Sequence, residues 1–184
     1  SGSGSKKTFS SSNLKKISKS LKYEQKKYNI HLCGGDTVFS NKLSFTITSI
    51  GFSKKIIFRN NASPNDDIYV TGNLGDSHAG LMILKKKIYL SKKLKEYFIN
   101  KYFLPDLQLK LTTKLLDVAN TSIDISDGLI TDLEKLINKQ KFSYKLNFDK
   151  IPISENLKKL IILKRLKKKS FISKGDDYQI LFTA

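Results

Sequence analysis

Apolar positions first recur along this chain with helical spacing. Leu14, Ile17 and Leu21 stand three and four residues apart with Lys on the other faces, so a helix is predicted from Ser12, with Ser12 or Asn13 as N-cap. The period then shortens to two. Leu43, Phe45 and Ile47 alternate with Thr46 and Thr48, which predicts a strand over 43–50, and shorter strands are predicted over 29–33 and 55–58. Ala62-Ser63-Pro64-Asn65-Asp66 is turn chemistry and marks a domain boundary. A buried-type strand follows at 68–71, then a helix capped by Asp76 or Ser77 and running through Leu84. Helices are predicted over 92–102, ahead of Pro105, and over 112–119.

Residues 122–125 read as a strand that passes through Ser126-Asp127-Gly128 into an amphipathic helix carrying Leu129, Leu133, Leu136 and Ile137. A strand over 144–148, a basic helix over 156–169 and a last strand over 178–183 complete the pattern, which is α+β. Ser1-Gly2-Ser3-Gly4-Ser5 reads as a flexible artificial linker. Residues 6–61 then read as part of one lobe and 62–184 as most of a second domain.

Composition narrows the class. The chain has 184 residues and a formal net charge of +18, from 34 Lys+Arg against 16 Asp+Glu. Only Arg59 and Arg165 are arginine. Readers of bases and clamps on phosphate favour the planar fork of Arg, so scattered lysine points to a compositional bias rather than to a specific nucleic-acid partner. No apolar run nears the roughly 20 residues that span a bilayer. The basic helix 156–169 reads as an ordinary surface helix with a core-facing stripe. One cysteine, Cys33, excludes an internal disulfide and a cysteine-based zinc cluster, and its neighbour Leu32 suggests a small buried residue. A reducing cytoplasm is the expected setting.

With so few acids, their placement is informative. They gather in Gly34-Gly35-Asp36, in Asp124-Ile125-Ser126-Asp127-Gly128 and in Gly175-Asp176-Asp177, each beside a strand and each with a glycine that lets backbone approach a ligand. Carboxylates on rigid strand ends suit hard cations such as Mg²⁺, which take oxygen ligands and bridge to phosphates. The helix starting near Gly128 is expected to aim its first amides at an anion. Other readings fail. No Gly-Lys-Ser/Thr follows Gly72 and Gly75, so there is no Walker A loop. The 124–128 segment has a misplaced glycine and no closing Glu for a calcium loop. His31 and His78 have no metal-ligand spacing.

Four blocks now occur in order. They are Gly34-Gly35-Asp36-Thr37; Ile68-Tyr69-Val70-Thr71-Gly72 with Gly75-Asp76-Ser77 and Ala79-Gly80-Leu81; Ile123 to Leu129 with Asp132-Leu133; and Gly175-Asp176-Asp177-Tyr178. Together they resemble the thiamine-monophosphate kinases, of the superfamily that includes aminoimidazole ribonucleotide synthetase. The resemblance runs from about Leu14 to Phe182. It implies an aminoimidazole ribonucleotide synthetase-like α+β fold and ATP- and Mg²⁺-dependent phosphorylation of thiamine monophosphate to thiamine diphosphate.

By that resemblance Asp36, Asp124 and Asp127 are magnesium ligands converging on one cleft, Gly35, Asp36, Arg59 and Ser126 contact ATP, and Asp176 contacts the substrate. No side chain acts as a covalent catalyst, since transfer is in line between phosphates. The family's intact form is a homodimer. Asp176 and Gln179 depart from the family's two Glu residues in that block, and Pro105-Asp106-Leu107-Gln108 is reduced from Pro-x-Pro-Arg. Relative to the family the chain is expected to be truncated at both ends, so that alone it has little or no kinase activity. The alternatives are another ATP-using enzyme of the superfamily and, from a different class, a basic nucleic-acid-binding module.

Overall fold

A computed structural model describes residues 10–38, 40 and 42–184; the Ser1–Ser5 linker lies outside them. Two compact units divide between Ile50 and Gly51. In the first, helix α1 spans Ser11–Tyr28. Its N-cap is Ser10 rather than Ser12 or Asn13, with the Ser10 hydroxyl accepting the Asn13 N–H, and it ends at Asn29 in the left-handed conformation. None of its residues is buried. The strands predicted over 29–33 and 43–50 do not form among the described residues. Leu43, Phe45 and Ile47 are exposed, so alternation here marks a face that finds no ladder partner. Cys33 is exposed, not buried.

The second unit is built on a three-stranded sheet, β1 (Ile68–Val70), β2 (Thr121–Asp124) and β3 (Ile180–Thr183). β3 lies in the middle, antiparallel to both neighbours, with Val70 and Ile123 both opposite Leu181. Helices α2 (Asp76–Leu84), α3 (Lys92–Phe103) and α4 (Leu109–Val118) precede β2, and α5 (Leu129–Leu136) follows it. Residues 51–61, which the sequence groups with the preceding lobe, pack with this second unit. The Asn60 N–H donates to the Leu136 carbonyl, and the Phe58 carbonyl accepts the Thr121 hydroxyl at 2.6 Å. The predicted strand 55–58 therefore bonds as irregular chain.

Two hydrophobic clusters hold the unit. Leu129, Leu133, Leu136 and Ile137 put one face of α5 against Leu181, Ile125 and Leu74. Ala79 and Ile83 of α2 meet Phe98 of α3 in the other, with Leu157, Leu160 and Phe171. Gly80 permits that second contact, because a Cβ there would lie 2.2 Å from the Phe98 carbonyl oxygen. Helix α6 spans Glu155–Lys164, capped by the Ser154 hydroxyl, and stops at a left-handed Arg165 well short of the predicted Lys169. A short α7 (Lys169–Ile172) then turns back to bury Phe171 and Ile172 in the two clusters, which a straight helix through the lysine run 167–169 could not do. Residues 144–148 are not a strand. Residues 144–147 line, with β1 and α5, a groove of about 820 Å³, and the segment has no ladder partner among the described residues.

Candidate functional site

The 124–128 turn is shaped from within by a carboxylate four residues further on. Asp132, in the first turn of α5, is buried, and its Oδ2 accepts the backbone N–H groups of Ser126, Asp127 and Gly128 at 2.9, 2.8 and 3.1 Å. Its other oxygen, Oδ1, accepts from Lys135 Nζ at 2.9 Å. The anion expected at this helix start is met in part from within, since Asp132 takes the Gly128 N–H and the two amides before it. What the turn presents outward is acid. Asp124 at the end of β2 and Asp127 in the turn are exposed, and Ser126 between them is half-buried. Lys135 also bridges to Asp127 Oδ2.

The last acidic block closes on this turn. The Asp176 N–H donates to the Ser126 carbonyl at 3.0 Å, and the Tyr178 N–H donates to the Ile125 carbonyl at 2.9 Å. Asp176 and Tyr178 both have positive φ, at 68° and 51°, a tight reversal that sets half-buried Asp176 beside the Ser126–Asp127 backbone. Gly175 makes the approach possible: a Cβ there would fall 1.7 Å from the Ser126 carbonyl oxygen. Asp124, Ser126, Asp127 and Asp176 are thus assembled around one turn.

Arg59 lies away from this turn within the second unit. Arg59 is exposed, and the chain on either side of it is tied to Thr121 and to Leu136, at the ends of β2 and α5 away from Asp124 and Gly128. Gly35 and Asp36 are exposed in the first unit, where Asp36 Oδ1 accepts the Thr37 N–H at 2.7 Å. Among the described residues no three His, Cys, Asp or Glu side chains gather to hold a metal ion. The donor set at the turn still suits Mg²⁺, which takes one or two carboxylates and completes its shell with water and phosphate oxygens.

Behind the turn Asp76 and Asp177 are buried together, a pairing that no spacing in the sequence announces. Asp177 is buried and accepts the Gly75 and Ser77 N–H groups at 2.8 and 3.4 Å, capping α2 from a hundred residues away. Burial pushes its carboxyl up to about 7, against the downward pull of those two amides. Asp76 is no cap. It is buried and accepts the hydroxyls of Ser154 and Tyr97 at 2.7 and 2.8 Å, and its burial likewise raises its pKa. The two acids, with Ser77, Lys101, Asp106 and Gln179, line a cleft of about 130 Å³. His78 is half-buried, edge-on to Phe171, and its pKa is lowered by that burial.

The fold is that of the aminoimidazole ribonucleotide synthetase-like proteins. The crystal structure of thiamine monophosphate kinase from Aquifex aeolicus superposes with a TM-score of 0.84 at 25% identity, over 96% of this chain and 60% of that one. The structure of AaThiL complexed with AMPPCP and TMP gives a TM-score of 0.82 at 23% identity, over 96% of this chain and 58% of that one. No family model matches. Curated relatives do. The thiamine-monophosphate kinase of Buchnera aphidicola from Acyrthosiphon pisum is 38% identical over 177 residues, 92% of this chain and 53% of that protein. That of Leptospira interrogans is 34% identical over 165 residues, 89% of this chain and 52% of that protein. The chain is a homologue of the thiamine-monophosphate kinases, and it spans about half the length of the curated relatives it matches.

Proposed function

We propose that the protein takes part in ATP- and Mg²⁺-dependent phosphorylation of thiamine monophosphate to thiamine diphosphate, in the cytoplasm and paired with a second copy. The observation that most directly supports this reading is the 124–128 turn, where two exposed carboxylates sit on backbone fixed by a buried Asp132. Mg²⁺ would supply charge neutralisation on the transferring phosphoryl group. Asp124 and Asp127 are its ligands on this turn. Ser126 contacts ATP. Asp176, held beside Ser126, faces the acceptor phosphate compound, and its carboxyl reaches one methylene less far than a Glu would. The rigid turn and its clamped neighbour keep these groups in place without reorganisation at the moment of transfer.

The test is thiamine diphosphate formation by a chimera in which this chain replaces its matching half of the Buchnera relative, assayed with ATP and Mg²⁺ against a panel of phosphate acceptors. Thiamine monophosphate is the expected preferred acceptor, and the 184-residue chain alone is expected to turn over little. Preference for another acceptor by a folded chimera would shift the reading to a different enzyme of the superfamily.

A further inference from the structure

Lys135 is the basic side chain in ion-pair contact with the 124–128 turn among the described residues, and it touches two acids of opposite character. Asp132 is buried and already accepts three amides, whereas the Asp127 side chain is 61% exposed and has no other polar partner among the described residues. One turn of α5 separates Asp132 from Lys135, so the buried carboxylate holds the ammonium near the turn whatever Asp127 does. A lysine has three donors on a four-carbon stem, enough to keep Asp132 while letting go of Asp127.

We propose that Lys135 is a tethered counter-cation for this turn, resting on Asp127 until a divalent cation displaces it, so that metal affinity is set by competition with the lysine. The inference depends on the reading of Asp127 as a metal ligand. Without a cation, the exposed acids around one turn would repel each other and loosen it. With Lys135 in place the turn keeps the shape in which a metal finds it, at the cost of weaker binding. After displacement the single positive charge of Lys135 stays within reach of the bound cation, paired with Asp132.

The experiment is titration of the chain with Mn²⁺, read by electron paramagnetic resonance, and with Mg²⁺, read by calorimetry. Lys135→Met removes the charge and keeps most of the stem, and Lys135→Gln leaves Asp132 a donor should the first variant unfold. Both are expected to bind metal about fivefold more tightly, the scale of a lost exposed ion pair. Asp127→Asn is expected to weaken binding, and adding it to Lys135→Met should erase the gain. Unchanged or weaker binding in both lysine variants, with Asp127→Asn still harmful, would overturn the competition and leave the metal reading standing. A gain that persists beside Asp127→Asn would overturn it too, as a general charge effect. Metal affinity indifferent to Asp127→Asn would remove the ligand assignment and this inference with it.

Discussion

At the residue scale, two buried aspartates, Asp132 and Asp177, carry the site's order. Asp132→Ala would leave the amides of Ser126, Asp127 and Gly128 without their acceptor, and a loss of roughly 3 kcal/mol is expected by urea unfolding, from unsatisfied donors and a stranded Lys135. Asp177 ties stability to pH. Its carboxyl titrates near 7 when folded against 3.8 when unfolded, so its neutral form is stabilising. That stability is complete below pH 4 and is lost as pH rises through about 7, by about 4 kcal/mol in all for this group. Asp177→Asn, which cannot ionise, should flatten the fall in unfolding free energy between pH 4 and pH 7. A variant as steeply pH-dependent as the parent would assign the effect to another group.

At the element scale the contact between α2 and α3 is set by a missing side chain. Gly80→Ala places a methyl group against the Phe98 carbonyl and forces the helices apart, with an expected cost of about 1–3 kcal/mol and a lower midpoint of thermal unfolding. Gly175→Ala would part Asp176 from Ser126 and should weaken Mg²⁺-nucleotide binding more than it lowers the melting temperature. Helices α2 to α5 were legible within a few residues, α4 and α5 from a stripe of apolar positions with the helical period, α2 as a continuous apolar run behind Asp76 and Ser77. The strands over 29–33, 43–50, 55–58 and 144–148 were not, because alternation says which side chains share a face and nothing about where a ladder partner lies. The overlong α6 has the same origin: its lysine run continues the period, yet Phe171 and Ile172 need the chain to turn. Among site residues, Asp124, Ser126, Asp127 and Asp176 were readable as short acidic blocks next to glycine. Asp177 as a cap for α2 was not, since its partners lie a hundred residues earlier. Asp132 did leave a local signal, an acid in the first turn of a helix.

At the scale of the whole molecule, the charge of +18 and the acidic turn pull towards different partners. A nucleic-acid module would bind duplex or single strands tightly and with a steep salt dependence. Weak binding with a shallow slope is expected of this protein in filter-binding assays, since carboxylates at a phosphate groove repel unless a metal intervenes. No helix of the described residues is long and apolar enough to cross a membrane. On the proposed reading the aspartates of the 124–128 turn hold a divalent cation against a nucleotide's phosphates, which calorimetric titration with AMPPCP, with and without Mg²⁺, would measure. Binding should require Mg²⁺ and weaken about tenfold or more in Asp124→Asn and Asp127→Asn. Nucleotide binding that is independent of Mg²⁺, or unchanged in both variants while they remain folded, would contradict the account.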